Sequence, residues 1–248
     1  MLARLYHPGE LSCHQPVELS PQNSHHLARV LRARVDTPVQ LFNGDGNHYD
    51  GKLIAVDNRR CTVQIESVSP CHSESPIQIT LLQGLSRNDR MDACLQKSTE
   101  LGVNRFVPVT CNRSKYKTDA KRMQKKTQHW RQIIISACEQ SGRCRLPELS
   151  EPLALAPALQ SAPAQCRLIL TADAPVSLAE QLMTNPHPEI AVAIGPESGF
   201  DEQEIQLAEQ AGYTAVSFGP RILRTETAGP AVITAIQILV GDLSGNPA

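Results

Sequence analysis

The chain has 248 residues, 24 of them basic and 25 acidic, and 41% are hydrophobic, which is enough for one large domain or two modest ones to bury a core. There is no signal-like segment and no apolar run long enough to cross a bilayer, and the eight cysteines are scattered without a CxxC pair, so free thiols in a cytoplasmic protein are expected. The near-neutral total hides a split: residues 73–145 carry 14 basic and 6 acidic side chains and residues 146–248 carry 3 and 12, which suits a polyanionic partner in the middle and argues against a protein coated all round by nucleic acid.

Residues 1–72 read as short strands. Residues 39–42, 48–56 and 61–65 alternate or run apolar. Asn43-Gly44-Asp45-Gly46-Asn47 is a glycine-rich hairpin connection that lacks the acidic spacing of a calcium loop. Residues 24–31 are the one helical candidate, and the whole pattern fits a small β-barrel. Residues 68–76, polar and with two prolines, read as a linker.

From Ile77 the rhythm changes to alternating strand and helix, an α/β pattern. Strands are expected at 77–83, 105–109 and 166–170, and helices at 89–101, 121–140 and 177–183. Residues 151–164 read as a short helix and loop. The first turns of the long helix hold Lys121, Arg122, Lys125 and Lys126, where they oppose its dipole. Arg113, Lys115 and Lys117 come just before. The two stretches together read as a patch that faces a polyanionic partner.

Two units near the end share one build. Residues 190–194 form an apolar strand, followed by the turn Gly195-Pro196-Glu197-Ser198-Gly199-Phe200 and an acidic helix start. Residues 214–218 form a second strand, followed by Gly219-Pro220-Arg221-Ile222-Leu223-Arg224-Thr225-Glu226-Thr227-Ala228 and an amphipathic helix. Polar loops at strand ends are the usual binding sites of α/β proteins. A helix N-terminus explains Thr225, Thr227 and Glu226 as cap and dipole partner, but leaves Arg224 with its charge at the wrong end.

These stretches resemble the bacterial 16S rRNA (uridine-N3) methyltransferases of the SPOUT class. The likeness extends to Lys97-Ser98-Thr99-Glu100-Leu101-Gly102-Val103, Glu139-Gln140-Ser141-Gly142-Arg143, Arg4-Leu5-Tyr6 and Arg29-Val30-Leu31-Arg32. It runs in order over nearly the whole chain. It implies an α/β fold with a trefoil-knotted methyltransferase domain over residues 73–248 and a PUA-like β-barrel over residues 1–72. It implies S-adenosylmethionine as cofactor, held by Leu170 and Thr171, by Gly195, Pro196, Glu197 and Gly199, and by Phe218, Gly219, Ile222 and Leu223. It also implies 16S rRNA in the small ribosomal subunit as substrate, and a homodimer to which the last helix contributes. With the family in view, Arg4, Tyr6, His26, Arg29 and Arg32 become RNA contacts of the barrel, beside Arg113, Lys115 and Lys117. Ser198 stands where the family has glycine, and a positive φ there would strain it. Gly229-Pro230 also departs from the pattern, although proline is tolerable in a first helical turn.

The chemistry left open by the sequence agrees with this. There is no phosphate-binding G-x-x-x-x-G-K-[ST] and no G-x-G-x-x-G after a strand, and the serine of the 195–199 turn is one place late for a hydrolase elbow. No His/Cys/Asp cluster has metal-ligand spacing, so no metal is expected. Uridine N3 must lose a proton before it attacks a methyl group. Arg224 is the candidate to stabilise the resulting anion, and Glu226 the weaker candidate for the base. A methyltransferase of another RNA such as tRNA, and a non-catalytic RNA-binding protein, remain as alternatives.

Overall fold

The computed structural model describes residues 2–114 and 120–245. The chain divides into two compact units, one made of Met1–Glu74 with Cys138–Leu146, the other of Ser75–Ala137 with Pro147–Ala248.

The first unit is a mixed sheet. Its strands are β1 (Ala3–Tyr6), β2 (Pro16–Glu18), β3 (Pro38–Phe42), β4 (Asn47–Ala55) and β5 (Thr62–Pro70), in the order β1-β3-β4-β5-β2. β1 runs parallel to β3, and the other pairs are antiparallel. Period-two alternation turns Tyr49 and Leu53 of β4 and Val63 and Ile65 of β5 into one core with Leu27 and Leu41. The short helix α1 (Pro21–His25) starts earlier than the hydrophobic pattern predicts. Ser20 caps it, its side chain accepting from the Asn23 amide, and Pro21 takes the first turn. A π-helical turn, His26–Val30, continues it. Val68, Ser69 and Pro70, expected in a linker, instead extend β5 and pair with Tyr49, His48 and Asn47. Proline is tolerated there because it closes the strand.

The second unit is a parallel sheet with helical connections. In chain order it holds β6 (Gln78–Gly84), α2 (Asn88–Glu100), β7 (Arg105–Thr110), α3 (Ala120–Ser141) except its last turn from Cys138, β8 (Glu148–Leu149), β9 (Leu153–Ala154) and α4 (Leu155–Ser161). Then follow β10 (Cys166–Leu170), α5 (Leu178–Thr184), β11 (Glu189–Ile194), α6 (Glu202–Gln210), β12 (Thr214–Val216) and α7 (Thr225–Val240). The sheet order is β12-β10-β11-β6-β7-β8, with β9 also paired to β7, and every pair is parallel. β11 is central, which is why its sequence is an unbroken apolar run with no alternation. Leu82, Val107, Ile169, Ala191 and Ala193 share its core.

Helix α7 explains one departure noted in the sequence. A Cβ on Gly229 would lie 3.0 Å from Cys94 Sγ of α2, so a small residue lets the two helices approach. Pro230 lies past the first turn, not within it, and supplies no amide for the Glu226 carbonyl. No described helix is long and apolar enough to cross a membrane.

Candidate active site

β12, β10 and β11 are adjacent and parallel, so their C-terminal ends deliver three loops to one edge of the sheet. These are the loops that begin at Leu170-Thr171, Gly195 and Ser217. Backbone bonds stitch two of them together. The Thr171 amide donates to Val216 O at 3.0 Å, the Ser217 amide to Val176 O at 2.9 Å and the Leu178 amide to Ser217 O at 2.9 Å.

The third loop is tied to the next strand. Thr225 is buried at the start of α7, and its hydroxyl donates to Gly195 O at 2.8 Å while accepting from Gln83 Nε2 at 2.8 Å. One side chain thus joins α7, β6 and the Gly195 loop. It is not a cap: the capping position is Arg224, which offers no side-chain bond. Gly84, at the end of β6, lies against the same loop, and a Cβ there would sit 2.6 Å from Pro196 Cδ and closer still to the Pro196 nitrogen.

The loops present backbone to open space. Gly199 and Gly219 take φ of +68° and +72°, and a Cβ at either would meet nothing within 4 Å. Gly195 is crowded instead, with Gly199 and Phe200 backbone atoms 3.1 Å from a hypothetical Cβ. Ser198 has no positive φ, so the expected strain is absent, and its hydroxyl donates to Arg113 O at 3.1 Å. The open space at Gly199 and Gly219, with Ile222 left 91% exposed, leaves room for a ligand at this edge.

The charged groups form a chain that sequence reasoning missed. Arg90 of α2 pairs with Glu197 through Nη1 at 3.1 Å, and its Nε lies 3.7 Å from Glu226 Oε2. The Arg87 amide also donates to Glu197, at 3.2 Å. Glu226 Oε2 is buried with no hydrogen-bond partner among the described residues. Arg224 pairs with neither glutamate. It is exposed, and among the described residues it forms no ion pair. Arg90 lies 107 and 136 positions from its partners, so only the fold could reveal it.

The loop after β7 is held to the start of α6. Glu204 is buried, and its carboxylate accepts the Asp201 amide at 2.9 Å and the Asn112 amide at 2.7 Å. Asp201 caps the helix, and the Glu204 amide, followed by the Asn112 side chain, holds its carboxyl below the usual carboxylate range. Burial, aided by Glu204 and then Asp201, pushes the Cys111 thiol up to about 12. Arg113 follows on this loop and is exposed. Lys115 and Lys117 lie outside the described residues.

In the first unit, His26, Arg29 and Arg32 are exposed along and just after the π-helical turn, with Arg32 at φ +51°. Tyr6 is half-buried, its ring centroid 5.6 Å from that of Phe42. Arg4 is bonded within the unit. Its Nη1 donates to the Cys138 and Glu139 carbonyls at 2.9 and 3.3 Å, and its Nε to Gln40 Oε1 at 2.7 Å. Nη2 lies 3.3 Å from Arg143 O, and the guanidinium carbon stands 5.1 Å from the Phe42 ring centre. Arg4 is half-buried and neutralises helix-end carbonyls.

Comparison with known proteins gives the family. Residues 73–237 match the model of an RNA methyltransferase domain, and residues 19–66 that of an RNA methyltransferase PUA domain. The chain is 32% identical to ribosomal RNA small subunit methyltransferase E of Buchnera aphidicola, over 98% of both chains. It is 28% identical to the protein of that name from Bacillus subtilis, over 90% of this chain and 92% of the other. Two solved structures superpose closely. One is ribosomal RNA small subunit methyltransferase E of Neisseria gonorrhoeae bound to S-adenosyl methionine, 39% identical, with a TM-score of 0.90 over 98% of this chain and 99% of that one. The other is a methyltransferase of Legionella pneumophila with bound cofactor SAM, 38% identical, with a TM-score of 0.91 over the same shares. The chain belongs to the ribosomal RNA small subunit methyltransferase E family of RNA methyltransferases.

Proposed function

We propose that this S-adenosylmethionine-dependent rRNA methyltransferase acts on N3 of one uridine of 16S rRNA, within the small ribosomal subunit. The observation that carries the reading is the edge itself. Three loops from adjacent strands meet there, beside an exposed Arg224 and a held Glu226.

Leu170, Thr171, Gly195, Pro196, Glu197, Gly199, Phe218, Gly219, Ile222 and Leu223 hold the cofactor, mainly through backbone groups. When bound, S-adenosylmethionine supplies a methyl group already activated by its sulfonium. The chain's own task is to orient uridine N3 and manage its proton. Arg224 stands at the mouth of α7 and stabilises the base as N3 loses its proton, or binds the neighbouring phosphate. Glu226 Oε2, buried and without a hydrogen-bond partner among the described residues, is available to accept that proton. Arg90 fixes the carboxylate and holds Glu197 in register with it.

We assign residues 1–72 to a PUA-like barrel that grips RNA through Tyr6, His26, Arg29 and Arg32. Residues 73–248 form the methyltransferase domain, threaded as a trefoil knot around the cofactor loops, with Arg113, Lys115 and Lys117 on its RNA-facing side. The enzyme works in the cytoplasm as a homodimer. The exposed apolar side chains of Ile222, Ile238 and Leu243, in and around α7, support that last reading.

Labelled methyl transfer to purified small ribosomal subunits, free 16S rRNA and tRNA tests the reading. Incorporation into the subunit is expected. Incorporation into tRNA alone, or none with saturable cofactor binding, would overturn it.

A further inference from the structure

The first unit contains a cluster that the methyl-transfer chemistry leaves unused. His48 on β4, Cys71 just past β5 and Cys144 each offer one ligand atom, and the three atoms all lie within 4.8 Å of one another. Cys144 is buried, and His48 and Cys71 are half-buried. In sequence the three are far apart, which is why no ligand spacing announced them.

The backbone around the cluster is held firmly. Glu74 Oε1 accepts the amides of Cys144 at 2.9 Å and Arg145 at 2.8 Å, and Glu74 Oε2 accepts Arg143 Nη2 at 2.9 Å. Cys144 Sγ lies 3.0 Å from His48 Nδ1, so imidazole and thiol already touch. Cys71 Sγ lies 3.0 Å from Ser73 Oγ. Arg4 supplies a fixed positive charge, with Nη2 3.2 Å from Cys144 Sγ and 3.4 Å from His48 Nδ1.

We propose that His48, Cys71 and Cys144 form a three-coordinate site for a thiophilic metal ion, copper(I). Two thiolates and one imidazole are soft and borderline donors of the kind that select this ion. The charges choose it over zinc. Two thiolates beside Arg4 leave one net negative charge, which a monovalent cation cancels in a half-buried site. Structural zinc takes four ligands, whereas the described residues supply three here. Copper(I) binding breaks two S–H bonds, forms two Cu–S bonds and one Cu–N bond, and releases two protons to solvent. No electron is transferred.

The test is a titration of the full-length, reduced protein with copper(I) against a chromophoric copper(I) chelator. One ion per chain is expected to be taken from the chelator. Cys71→Ser should weaken binding on the order of 100-fold, a loss reached even when only an outer partner of a ligand is removed. His48→Gln should weaken it too, and Cys13→Ser, outside the cluster, should leave it unchanged. Circular dichroism checks that each variant folds, and copper(I) should raise the melting temperature of the wild type but not of Cys71→Ser. Equal competition by wild type and Cys71→Ser would overturn the proposal, because other thiols would then be the binders. A Cys71–Cys144 disulfide that survives reductant would also overturn it, as would a stoichiometric zinc site with a tetrahedral cobalt(II) spectrum.

Discussion

Replacing Thr225 by valine tests how the cofactor loops are held. The swap keeps the shape and exchanges a hydroxyl for a methyl. Two buried bonds disappear, each 2.8 Å long, one from Gln83 Nε2 and one to Gly195 O. Gln83 Nε2 keeps a longer contact to Gly84 O at 3.3 Å, whereas the 195 carbonyl loses the side-chain donor that joins it to α7. A net value of about 1 kcal/mol per bond, plus the cost of a buried group left unpaired, gives about 3 kcal/mol. For a chain of this length that is a fall of roughly 6–12 °C in melting temperature. Thr225→Ser keeps both bonds and loses one methyl, so it should cost only about 0.8 kcal/mol. Urea denaturation and calorimetry, with and without S-adenosylmethionine, separate the two variants. Weaker cofactor binding is also expected for valine, because the Gly195 loop is no longer joined to α7. A Thr225→Val protein as stable as Thr225→Ser, with unchanged cofactor affinity, would refute the bridging role.

Arg224→Ala should fold and bind S-adenosylmethionine yet lose methyl transfer by on the order of a hundredfold, measured in single turnovers at saturating RNA; near-normal turnover would remove Arg224 from the chemistry. Arg224→Lys should rescue it poorly if the contact is bidentate, because lysine lacks the planar fork. Arg90→Met leaves Glu197 and Glu226 without their shared cation; side-chain exposures of 27%, 34% and 21% keep the stability loss below about 2 kcal/mol, while turnover should fall more than cofactor affinity. Gly84→Ala drives a methyl into the Pro196 backbone, and a loss of about 3 kcal/mol or more, read by urea midpoint, is expected. Asp201 has a folded pKa below its unfolded one, so its stabilisation is complete above the ordinary carboxylate value and fades as pH falls through the lower folded value. The melting-temperature gap between wild type and Asp201→Ala should therefore close in acid, and a gap that widens there would contradict the capping geometry.

The loops were legible in the sequence because their signals are local. A strand, a glycine turn and a helix start follow one another within about 15 residues at 190–204 and again at 214–228. Glycine punctuation and helical period survive without knowledge of the rest of the chain. The partners of those loops were not legible, because they come from elsewhere. Arg90 and Gln83 sit on α2 and β6, and nothing near them announces Glu226 or Thr225. The partners of Arg4 were hidden for the same reason, since only the fold brings the Cys138 and Glu139 carbonyls to it. Residues 68–70 misled through composition, since the two prolines of the 68–76 stretch suggest a linker until β4 is seen alongside. The cluster of His48, Cys71 and Cys144 was invisible because ligand spacing is read along the chain, whereas these donors meet across it.

The most direct test of the central claim is nucleoside mass spectrometry of 16S rRNA from cells with and without the gene, with complementation by the wild type and by Arg224→Ala. One 3-methyluridine is expected to disappear with the gene, return with the wild type and fail to return with Arg224→Ala. Unchanged 3-methyluridine in the deletion, or loss of a methyl group from ribose, from another base or from tRNA, would contradict it.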